Sequence, residues 1–139
     1  MPHKLTVDQV KGAVRGFWDV FTTKSAEGLA EFYAHESSVF GSQSTRSEPG
    51  RLAAARRNRE YFHSHSVLRA STGDVEVVLL GESAAVASYT FEFHASKVAS
   101  ILEKAGEENI QHGRATQVFV LDPGGVLRIV HEHLSVPGA

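Results

Sequence analysis

Hydrophobic positions in the first part of the chain follow helical spacing. Apolar residues recur every three or four positions between Val7 and Phe21. Thr6 and Gln9 have the spacing of a capping box, in which each side chain accepts a hydrogen bond from the backbone of the other. The pattern predicts an amphipathic helix over residues 7–24.

Two further helices are predicted before the middle of the chain. Ser25 has the side chain of a helix N-cap and predicts a second, short helix. Residues 38–40 suit only a short strand, and the composition of residues 41–49 predicts a loop. Pro49 fits the first turn of a helix because its missing N–H would be unpaired there, so a third, basic helix is expected through Phe62.

The second half of the chain alternates with a period of two, which indicates strands. Residues 75–80 and 84–94 form one pair of strands, and residues 97–108 are expected to make an excursion at the sheet edge. Within residues 112–135, two alternating runs flank the turn sequence 122–125, Asp-Pro-Gly-Gly, which reverses the chain. Helices followed by a four-stranded meander predict an α+β domain with helices packed on one face of an antiparallel sheet.

Composition restricts the class of protein. The 139 residues suit one domain, residues 1–139. Cysteine is absent, which excludes disulfides, zinc–thiolate sites and a cysteine nucleophile. The formal net charge of −2 gives no general attraction to nucleic acid or to a membrane surface. The N-terminus lacks a signal-peptide pattern, so a cytoplasmic protein without nucleic-acid or membrane partners is expected.

The order of elements and two segments near the end of the chain resemble a known superfamily. The segments are GRATQVF and RIVHEHLS, within residues 112–135. With the helix–helix–strand–helix–meander order, they resemble the nuclear transport factor 2-like superfamily and its SnoaL-like branch. The resemblance implies a cone-shaped curved antiparallel sheet with three N-terminal helices on its concave face, as in cystatin-like folds. It also implies a pocket inside the cone and a homodimer through the outer sheet face.

Two members of the superfamily have well-defined functional residues, and this chain lacks those residues at the matching positions. The catalytic positions of ketosteroid isomerase fall on Phe17, Gly41 and Gln117, which cannot perform that chemistry. The pocket arginines of the calcium/calmodulin-dependent protein kinase II association domain also have no arginine counterpart here. Both comparisons imply that Gln117, Glu132 and Leu134 face into the cone.

Because side chains alternate between the two faces of a strand, the neighbouring positions on these strands can be assigned to a face as well. The inward set on the last three predicted strands is Tyr89, Phe91, Phe93, Ala115, Gln117, Phe119, Val130, Glu132 and Leu134. The predicted pocket walls are Trp18, Tyr33, Phe40, Phe91, Phe93, Phe119 and Leu134. The outward set, predicted as the dimer face, is Glu92, His94, Arg114, Thr116, Ile129, His131 and His133.

Glu132 and Gln117 are the predicted catalytic residues. A carboxylate among aromatic side chains loses hydration, which raises its pKa toward the range useful for general acid–base catalysis. Gln117 can orient a carbonyl or carboxylate, since its amide both donates and accepts. The alternatives are an ion pair of Glu132 with Arg56 or Arg59, and a purely structural hydrogen bond for Gln117.

Basic and imidazole groups supply two further candidates. Arg56 or Arg59 could grip an anionic ligand bidentately, although a solvated helix face is the alternative. His131 and His133 have the spacing of metal ligands on one strand face, yet a third ligand is not identified. Hydrogen bonding at the dimer face is therefore the adopted interpretation, and no metal or cofactor is predicted.

These observations together predict a small-molecule pocket protein. The expected ligand is an apolar or aromatic carbonyl or carboxylate compound, and acid–base chemistry of the isomerase, dehydratase or cyclase type is the expected activity. The alternative is a non-catalytic dimeric ligand-binding or association module whose cone is filled by its own side chains.

Overall fold

A computed structural model describes residues 4–41, 48–97 and 109–136. Three helices occupy the first half: α1 (Val7–Thr22), α2 (Ala26–Ala30) and α3 (Gly50–Ser64). Thr6 and Gln9 form both hydrogen bonds of the predicted capping box, and Ser25 caps α2 as expected. Most of the predicted loop at 41–49 and most of the predicted excursion at 97–108 lie outside the described residues.

Seven strands accompany the helices within the described ranges, and several are longer than the sequence pattern indicated. The strand predicted at 38–40 begins at Tyr33 instead, and a strand follows α3 directly. The strands are β1 (Tyr33–Phe40), β2 (Glu48–Pro49), β3 (His65–Thr72), β4 (Glu76–Leu79), β5 (Ala84–Lys97), β6 (Asn109–Leu121) and β7 (Leu127–Ser135).

The strands form one strongly curled sheet in the order β2-β1-β7-β6-β5-β3. The seventh strand, β4, also pairs with β5: β3 pairs with residues 91–97 of β5 and β4 with residues 85–88. The predicted meander of β4, β5, β6 and β7 is antiparallel throughout. The pairing of β1 with β7 is parallel, which makes the sheet mixed. Parallel neighbours need a long crossover connection, and here the intervening helix and strands supply it. The α+β class and the curved sheet agree with the prediction.

A bulge in β7 changes which side chains face inward. Val118 pairs with His131, but Phe119 pairs with Ile129, so Val130 is an extra residue in β7. The placement of Ile129 on the outer face was therefore wrong: Ile129 is fully buried in the core and faces the same side as Phe119. The inward facing predicted for Val130 was wrong for the same reason. Glu132 lies beyond the bulge and keeps its inward position.

The hydrophobic core lies between α1 and the concave side of the sheet. Phe17, Trp18 and Phe21 of α1 are buried and contact aromatic rings of the sheet. Their three- and four-residue spacing places them on one face of the helix, which explains why this face is covered. Within the described ranges, the helices are too short or too polar to cross a membrane.

Candidate functional site

A cavity of about 360 Å³ lies between α1, α3 and the concave sheet. This volume is within the range of small-molecule sites, so the cone is not completely filled by its own side chains. Its apolar walls are Trp18, Phe21, Phe91, Phe93, Leu134 and Val136, and its polar lining groups are Arg57, Asn58, Tyr61, His65 and Gln111, with the backbone of Gly41.

Three aromatic rings of the wall are stacked almost in parallel. The Trp18 and Phe91 centroids are 4.8 Å apart at an interplanar angle of 23°, and Phe91 and Phe93 are 6.2 Å apart at 7°. Phe21 meets Phe93 edge to face, with the centroids 5.1 Å apart. The parts of these rings that stacking leaves uncovered give the cavity an aromatic wall, which suits an aromatic ligand.

Two adjacent residues of α3 bring hydrogen-bond donors to this apolar cavity. The Nη1 atom of Arg57 and the Nδ2 atom of Asn58 are buried and have no hydrogen-bond partner among the described residues. A buried donor without a partner is costly, more so when it is charged. Both residues line the cavity, so a ligand oxygen that displaces their side chains slightly could satisfy these buried donors.

The arginines predicted to contact an anion are different ones. Arg56 forms an ion pair with Glu60 at 3.6 Å, and Arg59 pairs with Glu27 at 3.1 Å. Both side chains are mostly exposed, and neither lines the cavity. The prediction for Arg56 and Arg59 was wrong because four arginines on one helix point in several directions, and Arg57 is the one that lines the cavity.

Glu132 ends a continuous chain of buried hydrogen bonds. The Trp18 indole N–H donates to the Tyr89 hydroxyl at 2.9 Å, which donates to Oε1 of Gln117 at 2.7 Å. Nε2 of Gln117 donates to Oε2 of Glu132 at 2.6 Å. The Tyr33 hydroxyl donates to Oε1 of Glu132 at 2.8 Å, so both carboxylate oxygens have a partner.

Burial raises the pKa of Glu132, because the carboxylate is completely removed from solvent. The hydrogen bonds from Gln117 and Tyr33 oppose this rise, and the nearby positive charge of Arg57 also opposes it. Burial likewise raises the pKa of Tyr33 and of Tyr89, so both hydroxyls keep their protons and act as donors. The elevated carboxyl pKa predicted from the aromatic surroundings is confirmed in direction.

The network lies behind the cavity wall rather than in it. Glu132 and Gln117 are fully buried, and neither lines the cavity. Through Gln117 and Tyr89 they fix the edge of Trp18, whose ring does line it. The arrangement thus supports the wall, and proton transfer by Glu132 stays a prediction.

The predicted wall residues divide into three groups. Trp18, Phe91, Phe93 and Leu134 line the cavity as expected. Tyr33 and Phe119 were predicted as walls, but they are buried in the core and do not line it. Phe40 was placed on the wrong face: its ring contacts the rings of His131 and His133, and its β1 position pairs with His133.

His65 also lines the cavity and was not among the predicted site residues. It begins β3 directly after α3, and its ring stacks on Tyr61 with centroids 4.4 Å apart and planes 3° apart. Nδ1 of His65 lies 2.8 Å from Oγ of Ser64. The four-residue spacing of Tyr61 and His65 was the available signal, but the strand at residue 65 was not foreseen.

The remaining predicted dimer-face residues lie on the opposite side of the sheet from the cavity. Thr116 pairs with His133, and Val118 pairs with His131, whose Nδ1 is 2.7 Å from Oγ of Ser38. Glu92 contacts His94 at 3.1 Å, and Arg114 is exposed. Within the described residues, no group of three or more histidine and acidic side chains could hold a metal ion.

Comparisons with known proteins agree with this architecture. A family model described as "SnoaL-like domain" matches residues 10–139. No curated protein matches the chain. Three solved structures, each less than 20% identical to the chain, share the fold.

The first of these is a nuclear transport factor 2-like superfamily protein from Salmonella enterica, with 17% identity, a TM-score of 0.77 and coverage of 95% of this chain and 91% of that chain. The second is a ketosteroid isomerase-like protein from Erwinia carotovora, with 12% identity, a TM-score of 0.78 and coverage of 93% and 94%. The third is a protein with a cystatin-like fold from Caulobacter vibrioides, with 17% identity, a TM-score of 0.71 and coverage of 94% and 89%.

Proposed function

Because the chain belongs to the SnoaL-like domain family, we propose that its cavity binds a small aromatic or apolar compound that carries a carboxylate or carbonyl group, and that the protein converts it by acid–base chemistry. The observation that carries this proposal is a pair of buried donors without partners among the described residues, Arg57 Nη1 and Asn58 Nδ2, on residues that line a cavity walled by aromatic rings.

The donors favour an anionic or strongly polar ligand group. A carboxylate that accepts from Arg57 and Asn58 would remove two unsatisfied donors and neutralise a partly buried charge. Charge-assisted hydrogen bonds of this kind contribute about 1.5–3 kcal/mol each. The polar end of the ligand is thus assigned to α3.

The walls favour an aromatic body for the same ligand. The stacked rings of Trp18, Phe91 and Phe93 present an extended apolar surface, and Leu134 adds an aliphatic contact. Burial of apolar area contributes roughly 25 cal/mol per Å². A single aromatic ring with a short polar side chain fits the volume of about 360 Å³.

The acid–base type is supported by the family and by the chemistry of the cavity. One structural neighbour is a ketosteroid isomerase-like protein, although identity of 12% carries over the fold alone. The cavity itself contains an imidazole, at His65, beside the two donors of α3. The association-module alternative expected a cone filled by its own side chains, and the open cavity does not favour it.

Binding can be tested with phenylpyruvate, which combines an aromatic ring, a ketone and a carboxylate. Trp18 is the only tryptophan and lines the cavity, so its fluorescence should change on titration. Arg57→Gln should raise the Kd by about 10- to 100-fold, the equivalent of one or two lost charge-assisted hydrogen bonds. Arg56→Gln is the matched control because the neighbouring arginine does not line the cavity, and it should leave the Kd within about twofold.

Phenylacetone provides the second half of this experiment, since it keeps the ring and the ketone and lacks the carboxylate. It should bind more weakly than phenylpyruvate to the unaltered protein, and Arg57→Gln should have little effect on it. Equal loss of phenylpyruvate binding in the Arg56 and Arg57 variants would contradict the assignment of the anion to Arg57.

A further inference from the structure

We propose that His65 is the catalytic base of this cavity, and that it removes a proton from a carbon atom next to the ligand carbonyl. The inference rests on the proposed function, because it requires that a carbonyl compound occupies the cavity. It assigns the proton transfer to His65 instead of the buried Glu132.

The hydrogen bonds at the end of α3 determine which nitrogen of His65 carries the proton. Oγ of Ser64 lies 3.2 Å from the carbonyl oxygen of Tyr61 and 3.4 Å from that of Glu60. The Tyr61 carbonyl is one of the last four of the helix, which lack a partner within it, and a carbonyl oxygen can only accept. When the Ser64 hydroxyl donates to this carbonyl, its oxygen accepts from Nδ1 of His65 at 2.8 Å.

This arrangement gives a partner to the Ser64 hydroxyl, to the Tyr61 carbonyl and to Nδ1 of His65. It leaves Nε2 of the neutral ring without a hydrogen. An unprotonated Nε2 is the atom that a general base requires. The ring is held flat against Tyr61, with the two planes 3° apart, so its direction is fixed by stacking as well as by Ser64. Ser64 is thus a positioning residue for His65.

The other groups of the cavity suit the charge that forms in such a step. Nε2 of His65 takes the proton, the C–H electron pair becomes a C=C bond, and the carbonyl electron pair moves to oxygen. The resulting enolate oxygen needs a donor, and the Arg57 guanidinium, which lines the same cavity, has five N–H groups, more than the ligand carboxylate occupies. Return of the proton to a different atom gives an isomerisation, and return to the same carbon gives exchange with solvent.

Exchange of the C3 hydrogens of phenylpyruvate for deuterium, followed by proton NMR in deuterated buffer, tests this inference. The protein should accelerate the exchange over buffer. His65→Asn should lower the protein-dependent rate by about 100-fold or more, as expected for loss of a general base, while phenylpyruvate binding stays within about threefold. Asparagine preserves a donor toward Ser64 and removes Nε2. His63→Asn is the matched control, because His63 is exposed and does not line the cavity.

Ser64→Ala should reduce the exchange rate without weakening phenylpyruvate binding, since it removes the group that orients the ring. Phenylpyruvate binding without accelerated exchange, or full exchange in the His65→Asn variant, would overturn the inference, while the proposed binding of a carboxylate by Arg57 would stand. Absence of any Trp18 response to phenylpyruvate would overturn the proposed function and this inference together.

Discussion

Glu132 is a single carboxyl group whose ionisation is coupled to folding. It is completely buried, and burial raises its pKa above the ordinary value of 4.5 that it regains in the unfolded chain. Between 4.5 and the native pKa, the folded protein therefore binds more protons at this site than the unfolded chain does. Its contribution to stability is fully present below the unfolded pKa and is lost as the pH rises through the native pKa.

This coupling predicts a pH-dependent difference between the protein and Glu132→Gln, which cannot titrate at this position. The free energy of unfolding of the unaltered protein, minus that of the variant, should fall as the pH rises above 4.5. The slope should not exceed about 1.4 kcal/mol per pH unit for one group. Urea denaturation across this pH range measures the difference directly.

Glu27→Gln gives a control of the opposite sign. Glu27 is exposed, and its pKa is lowered by hydrogen bonds from its own backbone N–H and from Arg59. Its small contribution to stability should therefore be present above its unfolded pKa and be lost as the pH falls. A difference for Glu132→Gln that grows with pH would mean that hydrogen bonds from Gln117 and Tyr33 outweigh the effect of burial.

At the level of single elements, strand β6 shows how the cavity wall depends on the backbone beside it. Gly113 of β6 pairs directly with Phe91 of β5, and the Phe91 ring lies over the glycine. A Cβ atom at position 113 would overlap this ring. Phe91 in turn stacks on Trp18, so the absence of a side chain at Gly113 allows the aromatic wall to form.

Gly113→Ala should consequently destabilise the fold by about 1–3 kcal/mol, because the Phe91 ring must move within a packed region. It should also alter the emission of Trp18. Gly12→Ala is a suitable control, because the added Cβ would meet no atom within 4 Å and alanine is the better helix former. Chemical denaturation followed by Trp18 fluorescence distinguishes the two, and equal stability of Gly113→Ala and the unaltered protein would show that the wall can repack.

The elements also show which features the sequence could predict. Alternation and the turn at 122–125 correctly predicted the antiparallel pairing of β6 with β7. The inward facing of Gln117 and Glu132 came from the family resemblance, and both side chains are buried. The bulge at Val130 has no residue signature, since neither glycine nor proline marks it. Ile129 was therefore assigned to the wrong face. The parallel pairing of β1 with β7 joins distant segments, and periodicity carries no information about such partners.

The rotation of α3 about its axis accounts for most of the site residues that the sequence did not predict. Its apolar positions, Leu52, Ala55 and Phe62 among them, do not form one clear stripe, and Leu52 is in fact exposed. Its rotation about its axis is set by packing against β1 and α2 rather than by its own pattern. For this reason the sequence predicted an arginine of α3 as the anion contact but could not select Arg57.

At the scale of the whole molecule, the outer sheet face is the remaining extended surface. Val86 and Val118 are directly opposite each other on β5 and β6, and His131 of β7 continues the same row. In the next row, Thr116 pairs with His133. These side chains are partly or largely exposed in the single chain, whereas the cavity side of the same strands is buried. An apolar centre with polar neighbours is the composition of a protein–protein interface.

We propose that two copies of the chain associate through this face to form a homodimer. Val118→Asp places a charge at its apolar centre and should shift the protein toward monomers in light scattering, because the carboxylate would have to lose its hydration when the two faces meet. Val126→Asp is the matched control, since Val126 is 46% exposed in the β6–β7 turn, away from this face. Its mass should equal that of the unaltered protein.

Ile129 is not a suitable position for testing the dimer, because its side chain faces the core. A charge at Ile129 would enter the core and unfold the chain, so a loss of dimers in such a variant would not report on the interface. Val118 is partly exposed, and its variant should keep a cooperative thermal transition and the Trp18 response to phenylpyruvate. A folded Val118→Asp protein that still has twice the chain mass would exclude the outer face and place any dimer contact elsewhere on the molecule.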